Sequence, residues 1–179
     1  LVGSEMCIRD RANNIQDLES TVKTHKTAAI MLECVQGEGG VMPLDSEFVK
    51  KAAGIAKRED ILLIIDEVQT GNGRTGKLYS YMNYGISPDI VTTAKGLGGG
   101  LPIGATLLGE KVQDVLTPGS HGSTFGGNPA VCAGALSIIN RIDDALLKSV
   151  KQKSDYIFSE LKGAKLSLIH ISEPTRHAQ

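Results

Sequence analysis

The amino-acid sequence predicts an α/β domain with a mostly parallel sheet and flanking helices. Short apolar runs of strand length alternate with stretches in which apolar residues recur at helical spacing. The run over residues 61–68 is apolar on both faces and follows a helical stretch, which is typical of a central parallel strand covered on two sides. The chain of 179 residues, 41% of them hydrophobic, is long enough for one globular domain.

Four runs rich in apolar and β-branched residues predict the strands. The first ends at a glycine cluster, the third follows a proline, and the fourth follows a second glycine cluster. They cover residues 28–34, 61–68, 89–94 and 103–108.

Three stretches predict helices. In residues 46–58 the apolar positions form one helical face, and Asp45 or Ser46 is expected to accept hydrogen bonds from the free amides of the first turn. The other two helices lie near the end of the chain, and the first of them has an asparagine cap followed by proline. They cover residues 128–142 and 144–162.

Composition argues against polyanionic and membrane partners. Twenty acidic and 19 basic residues give a net charge of −1, and neither sign forms a long run. The three cysteines lack CxxC spacing, so neither a disulfide framework nor a metal site is predicted. No apolar run approaches the roughly 20 residues of a membrane span. We therefore expect a cytoplasmic protein with small-molecule partners.

Both ends of the chain differ from its middle. Residues 1–11 and 167–179 show neither helical nor strand periodicity, and both resemble translated sequencing-adapter reads. We expect these segments to be non-native, with ordinary disordered termini as the alternative.

A glycine-rich loop over residues 71–77 admits two nucleotide-binding interpretations. It fits the dinucleotide pattern GxGxxG and the start of a P-loop, GxxxxGK. A P-loop needs Ser or Thr after its lysine, whereas Leu78 follows Lys77 here. A dinucleotide site needs an apolar-faced helix after the loop and an acidic residue about 20 positions on, at the end of a second strand, and the sequence offers neither. A P-loop ATPase stays as the alternative from a different class.

Two charged residues are expected at the carboxyl edge of the sheet, where ligands of α/β proteins bind. Asp66 ends the central strand, and Lys95 follows the next strand and precedes a glycine run. The alternative is that Asp66 has a structural partner such as Arg58, Arg74 or a helix N-terminus. A buried lysine loses its proton more easily and attacks carbonyl carbon, as Schiff-base chemistry with pyridoxal phosphate (PLP) requires. Asp66 would keep the ring nitrogen protonated, and Gln69 can hydrogen-bond the ring hydroxyl.

Four motifs within residues 13–165 resemble class III aminotransferases, most closely the group that acts on acetylornithine. Lys95 follows Asp66, and Thr124 follows Lys95, at spacings similar to those of the family, although Cys34 stands where the family usually has proline. The motifs are ECVQGEGG at 33–40, IDEVQTGNGRTGK at 65–77, PDIVTTAKGLGGG at 88–100 and HGSTFGGNP at 121–129.

The resemblance implies the fold-type I PLP-dependent transferase fold, with an incomplete large domain over residues 12–143 and a helix over residues 144–166 that leads toward a small domain. It also implies a homodimer with a shared active site. Lys95 and Asp66 would be catalytic, and Glu67, Val68, Gln69 and Thr124 would join them in binding PLP. Ser123 and Glu38 would contact substrate, and Thr124 would hold the cofactor phosphate of the neighbouring subunit.

The implied reaction moves the amino group of N-acetylornithine to 2-oxoglutarate and gives glutamate, a step of arginine biosynthesis. Ornithine, 4-aminobutyrate and succinyldiaminopimelate are alternative amino donors. The family's phosphate-binding front half and most of its small domain have no counterpart in this sequence. We therefore expect the isolated chain to fold poorly and not to transaminate. The alternative without catalysis is an assembly product with no cellular role.

Overall fold

The computed structural model describes residues 13–163, so the two terminal segments expected to be non-native lie outside the described residues. Two short 3₁₀ helices, Ser80–Asn83 and Lys95–Gly98, accompany the regular elements. The helices are α1 (Ile15–Thr24), α2 (Ser46–Arg58), α3 (Pro129–Ile139) and α4 (Asp144–Gly163). The strands are β1 (Ala29–Leu32), β2 (Val35–Gln36), β3 (Met42–Pro43), β4 (Leu62–Asp66), β5 (Ile90–Thr93) and β6 (Ala105–Leu108).

Four strands form the main sheet in the order β1-β4-β5-β6. The β1–β4 and β4–β5 pairs are parallel, and β6 joins β5 antiparallel. The predicted α/β class with a mostly parallel sheet is therefore confirmed. The predicted cover on both faces of β4 holds for one face only, because Leu63 and Ile65 are buried whereas Leu62, Ile64 and Asp66 are half-buried.

Helix α2 covers the buried face of the sheet. Its residues Phe48, Val49, Ile55 and Ala56 join Ile30, Leu63 and Ile65 in the core. The ends of α2 match the prediction, but Asp45 makes no side-chain capping bond. That expectation was wrong, and the cap position is connected to the helix through the Asp45 carbonyl, which accepts from Val49 N at 3.0 Å.

One helix and two short strands were not predicted from the sequence. Helix α1 begins at the asparagine cap Asn14, and its residues Ile15, Leu18 and Val22 pack against the core. Strands β2 and β3, of two residues each, form an antiparallel hairpin. Near the other end of the chain, Asn128 caps α3 as predicted, but the helix ends three residues early, at Ile139. None of the helices in residues 13–163 is long and apolar enough to cross a membrane.

Candidate active site at the carboxyl edge of the sheet

Asp66 and Lys95 lie at the same edge of the sheet. Asp66 is the last residue of β4 and pairs in register with Thr92 of β5, three residues before Lys95. One oxygen of the Asp66 carboxylate, Oδ1, accepts a hydrogen bond from Val68 N at 2.9 Å. That bond fixes the direction of the carboxylate and leaves Oδ2 for a ligand.

Lys95 is exposed, so the expectation of a buried amine was wrong for this chain. Its backbone instead has an unusual conformation, with φ of 47°, in the left-handed region that residues with a side chain rarely adopt. Such strain persists only where the surrounding structure holds it, and it concentrates at functional sites. The strained backbone at Lys95 is therefore consistent with a functional role for the residue that the sequence predicts to bind the cofactor.

The turn of the β2–β3 hairpin lies next to Gln69 at this edge of the sheet. The exposed side chain of Gln69 lies beside Gly37, where an added Cβ would stand 2.8 Å from Cγ of Gln69. Glu38, the predicted substrate contact, is the next residue in the same turn and is exposed. The structure thus brings Gln69 and the turn that carries Glu38 together, which the sequence alone could not show.

Glu67 points the other way, into the core. It is fully buried, and its carboxyl group accepts hydrogen bonds from Thr70 Oγ1 at 2.5 Å, Ser80 Oγ at 2.7 Å and Tyr81 N at 2.9 Å. The carboxyl group is therefore not available to a cofactor, because both oxygens accept hydrogen bonds inside the protein, and the predicted cofactor contact of Glu67 stays a prediction. Glu67 instead anchors the loop that follows Asp66.

Cys34, Tyr79 and Ser80 are buried like Glu67. Burial raises the pKa of the Cys34 thiol to about 11, against a smaller opposing effect of a Ser80 hydrogen bond, with Glu67 adding to the rise. Burial likewise raises the pKa values of Tyr79, Tyr81 and Tyr84. Ser80 belongs to this network and was not singled out from the sequence, because a lone serine in a loop carries no pattern.

Ser123 and Thr124 lie in an exposed part of the chain, since residues 113–130 are all exposed. The hydroxyl of Ser123 accepts from Gly126 N at 2.9 Å, which closes a local turn. Among the described residues, no hydrogen bond joins this loop to Asp66 or Gln69. Their predicted roles toward phosphate and substrate stay predictions.

The nucleotide-binding interpretations of residues 71–77 do not fit the structure. A P-loop or a dinucleotide loop opens directly into an α-helix whose N-terminus binds phosphate. Here the loop folds back on itself, with Gly73 N donating to Leu78 O at 3.2 Å, and only the 3₁₀ helix Ser80–Asn83 follows. The loop consequently has no helix N-terminus to offer a phosphate.

The residues at the carboxyl edge fit PLP. The exposed amine of Lys95 is accessible to an aldehyde, and the half-buried carboxylate of Asp66 suits a protonated ring nitrogen. Thr92, which is paired with Asp66, has a buried Oγ1 without a hydrogen-bond partner among the described residues. This edge therefore combines an amine, an acid and an unpaired hydroxyl.

The family profile described as aminotransferase class-III matches residues 4–173. An acetylornithine aminotransferase from Oceanobacillus iheyensis is 46% identical over 154 residues, which are 86% of this chain and 38% of that protein. A succinylornithine transaminase from Yersinia pseudotuberculosis is 48% identical over 150 residues, 83% of this chain and 36% of the relative. The chain thus spans less than two fifths of these relatives.

Solved structures agree. An N-acetylornithine aminotransferase from Stenotrophomonas maltophilia superposes with a TM-score of 0.73 at 39% identity, covering 81% of this chain and 37% of that one. An ornithine aminotransferase from Toxoplasma gondii, with PLP at partial occupancy in its active site, gives 0.69 at 40% identity over 78% of this chain and 32% of that one. Class III aminotransferases are PLP-dependent enzymes. The chain belongs to the class III aminotransferases.

Proposed function

We propose that this chain is part of a cytoplasmic, homodimeric enzyme of arginine biosynthesis that moves the amino group of N-acetylornithine to 2-oxoglutarate. The observation that carries the proposal is the placement of Asp66 and Lys95 at the carboxyl ends of adjacent parallel strands. Relatives named for acetylornithine and succinylornithine favour an N-acylated ornithine as donor over free ornithine, 4-aminobutyrate or succinyldiaminopimelate.

Lys95, Asp66 and Gln69 each act on a different part of the cofactor in this proposal. PLP, when bound, supplies an electron-accepting ring that stabilises the charge left on a substrate carbon after its proton is removed. Lys95 Nζ would hold the cofactor through its aldehyde carbon until the amino group of the substrate takes over that bond. The freed lysine amine would then take the proton from the substrate carbon and return it to a second carbon. Asp66 Oδ2 holds the proton of the ring nitrogen, while Oδ1 is held by Val68 N. Gln69 donates to the ring hydroxyl.

The remaining predicted contacts come from the exposed loops. Thr124 would hold the phosphate of the cofactor bound in the neighbouring subunit, and Ser123 would lie against the substrate. Glu38 would contact the substrate from the hairpin turn beside Gln69. Val68 would contact the cofactor beside Asp66, and Glu67 would do so through its backbone, since its carboxyl group is engaged in the core.

Borohydride reduction followed by peptide mapping tests the proposal in the full-length protein that contains this segment. The trapped cofactor is expected on Lys95, and Lys95→Ala should carry none. Asp66→Asn is expected to keep the covalent link but to lower kcat by at least about a hundredfold, because the ring nitrogen loses its acid partner. A colourless protein without an adduct on Lys95 would refute the proposal.

A second pair of measurements separates the alternatives. Rates measured with the four candidate donors rank them, and a donor other than N-acetylornithine with the highest kcat/KM would revise the substrate. Lys77→Ala tests the ATPase alternative, because a P-loop would lose phosphate binding with this lysine. The aminotransferase should keep its lysine-linked cofactor in that variant.

A further inference from the structure

Asn72 lies in the loop that follows β4, and its amide holds the backbone that leads into Lys95. Its Nδ2 donates to Thr93 Oγ1 at 3.3 Å and to the carbonyl oxygen of Ala94 at 3.3 Å. Its side chain also packs against Gly96, where an added Cβ would stand 3.6 Å from Cβ of Asn72. A single side chain therefore contacts the residues on both sides of the lysine.

The carbonyl oxygen of Ala94 links the Asn72 side chain to the 3₁₀ turn at Lys95. It also accepts from Leu97 N at 3.0 Å, which closes the 3₁₀ turn that begins at Lys95. Lys95 has φ of 47° in that turn, a conformation that a residue with a side chain keeps only when neighbouring groups restrain it. The second donor, from Asn72, is such a restraint.

The orientation of the Asn72 amide follows from its partner. A carbonyl oxygen can only accept, so the amide nitrogen must face Ala94 and the amide oxygen must face away. Oδ1 is accordingly buried, with no hydrogen-bond partner among the described residues. Asn72 itself has φ of 57°. The unpaired buried oxygen and the left-handed backbone of Asn72 both cost free energy. A need for Asn72 to restrain the backbone around Lys95 would explain why both are kept.

We propose that Asn72 is a positioning residue for Lys95. By fixing Thr93, Ala94 and Gly96, it sets the direction from which Nζ approaches the cofactor aldehyde and later the substrate proton. The inference rests on the proposed function, because it concerns what Lys95 does to the cofactor. Displacement of a reacting group by about 1 Å can slow a reaction roughly a hundredfold, so a small loss of restraint should be measurable.

Two substitutions in the full-length protein remove the amide in different ways. Asn72→Gly accepts the left-handed backbone without strain, so it protects folding while it deletes both hydrogen bonds. Asn72→Asp keeps the shape but turns an oxygen toward the Ala94 carbonyl. The matched controls are Asn83→Gly and Asn83→Asp, because Asn83 Nδ2 also donates to a hydroxyl and a carbonyl, Thr75 Oγ1 and Ser80 O, both at 3.2 Å.

The first readout does not depend on turnover. Cofactor-free protein is mixed with PLP, and the rate at which the visible absorbance of the lysine-linked cofactor develops is measured, with borohydride trapping to locate the bond. Both Asn72 variants are expected to form this bond about ten- to a hundredfold more slowly, while both Asn83 variants keep the unmutated rate. In steady state, kcat should fall with the Asn72 variants while KM for the amino donor changes less than about twofold.

The outcomes separate the two proposals. An unmutated protein that forms no adduct on Lys95 overturns the proposed function, and the task assigned to Asn72 falls with it. An unmutated protein that forms the adduct, with Asn72 variants that form it as fast as the Asn83 variants, overturns the positioning role alone.

Discussion

Removal of the Glu67 carboxyl group should destabilise the protein more than any surface substitution. The group is fully buried and accepts three hydrogen bonds, from Thr70, Ser80 and Tyr81. Each buried donor left without a partner costs about 1–3 kcal/mol. The sum overstates the loss, because Ser80 Oγ already lies 3.3 Å from Thr70 Oγ1 and the two hydroxyls can bond each other. Glu67→Ala should therefore cost about 3–5 kcal/mol, including its cavity.

Glu67→Gln distinguishes hydrogen bonding from volume. Its amide oxygen can still accept from Ser80 and Tyr81, and the Thr70 hydroxyl can rotate to accept from the amide nitrogen. We expect a loss of about 1 kcal/mol, well below that of Glu67→Ala. The exposed Glu110→Gln is the control, with a change of less than about 0.5 kcal/mol.

Urea unfolding of the cofactor-free, full-length protein, followed by circular dichroism, gives the three free energies. The loss in free energy of unfolding is expected to be largest for Glu67→Ala and smaller for Glu67→Gln. Glu110→Gln should match the unmutated protein. If Glu67→Ala lay within 0.5 kcal/mol of the control, the buried carboxyl group would not be an anchor and the reasoning would fail.

Two further predictions concern a thiol and a glycine. In the native protein at pH 8, iodoacetamide should label Cys132 at least about tenfold faster than Cys34, because the thiolate reacts and burial raises the pKa of Cys34 to about 11. Labelling of Cys34 should accelerate as the pH approaches 11, and equal rates at pH 8 by quantitative mass spectrometry would contradict this. Gly37→Ala should weaken PLP binding about tenfold in a fluorescence titration, because the new Cβ would stand 2.8 Å from Cγ of Gln69. Gly54→Ala is the control, with nothing within 4 Å of its Cβ, and an equal affinity in both variants would remove Gln69 from the site.

The elements with strong patterns could be predicted from the sequence, and the weak ones could not. Helix α2 has a repeated apolar face, so its bounds were predicted correctly. Helix α1 is polar apart from a few core contacts, and β2 and β3 are two residues each, too short for any period to show. The antiparallel direction of β6 is likewise set by pairing, which a single sequence does not specify.

The roles of two adjacent acids show what strand alternation adds. Side chains along a strand point to opposite faces in turn, so Glu67 continues the buried face of Leu63 and Ile65, while Asp66 is on the other face. Both acids were predicted to bind the cofactor, although the alternation of side chains along β4, continued one residue past its end, places Glu67 on the buried face. The exposure of Lys95, in contrast, depends on tertiary neighbours and no local pattern reports it.

The segment between Asp66 and Asn72 links the acid proposed to bind the cofactor with the backbone that leads into Lys95. At its beginning, Glu67 is fastened to the core, and its carbonyl accepts from Gly71 N at 2.9 Å. At its end, Asn72 is fastened to the backbone before Lys95. The segment is therefore restrained at both ends by buried or half-buried polar contacts and not by regular secondary structure. Although Lys95 is exposed, its position relative to Asp66 can be fixed in this way, because the restraining hydrogen bonds of Glu67 and Asn72 are made inside the protein.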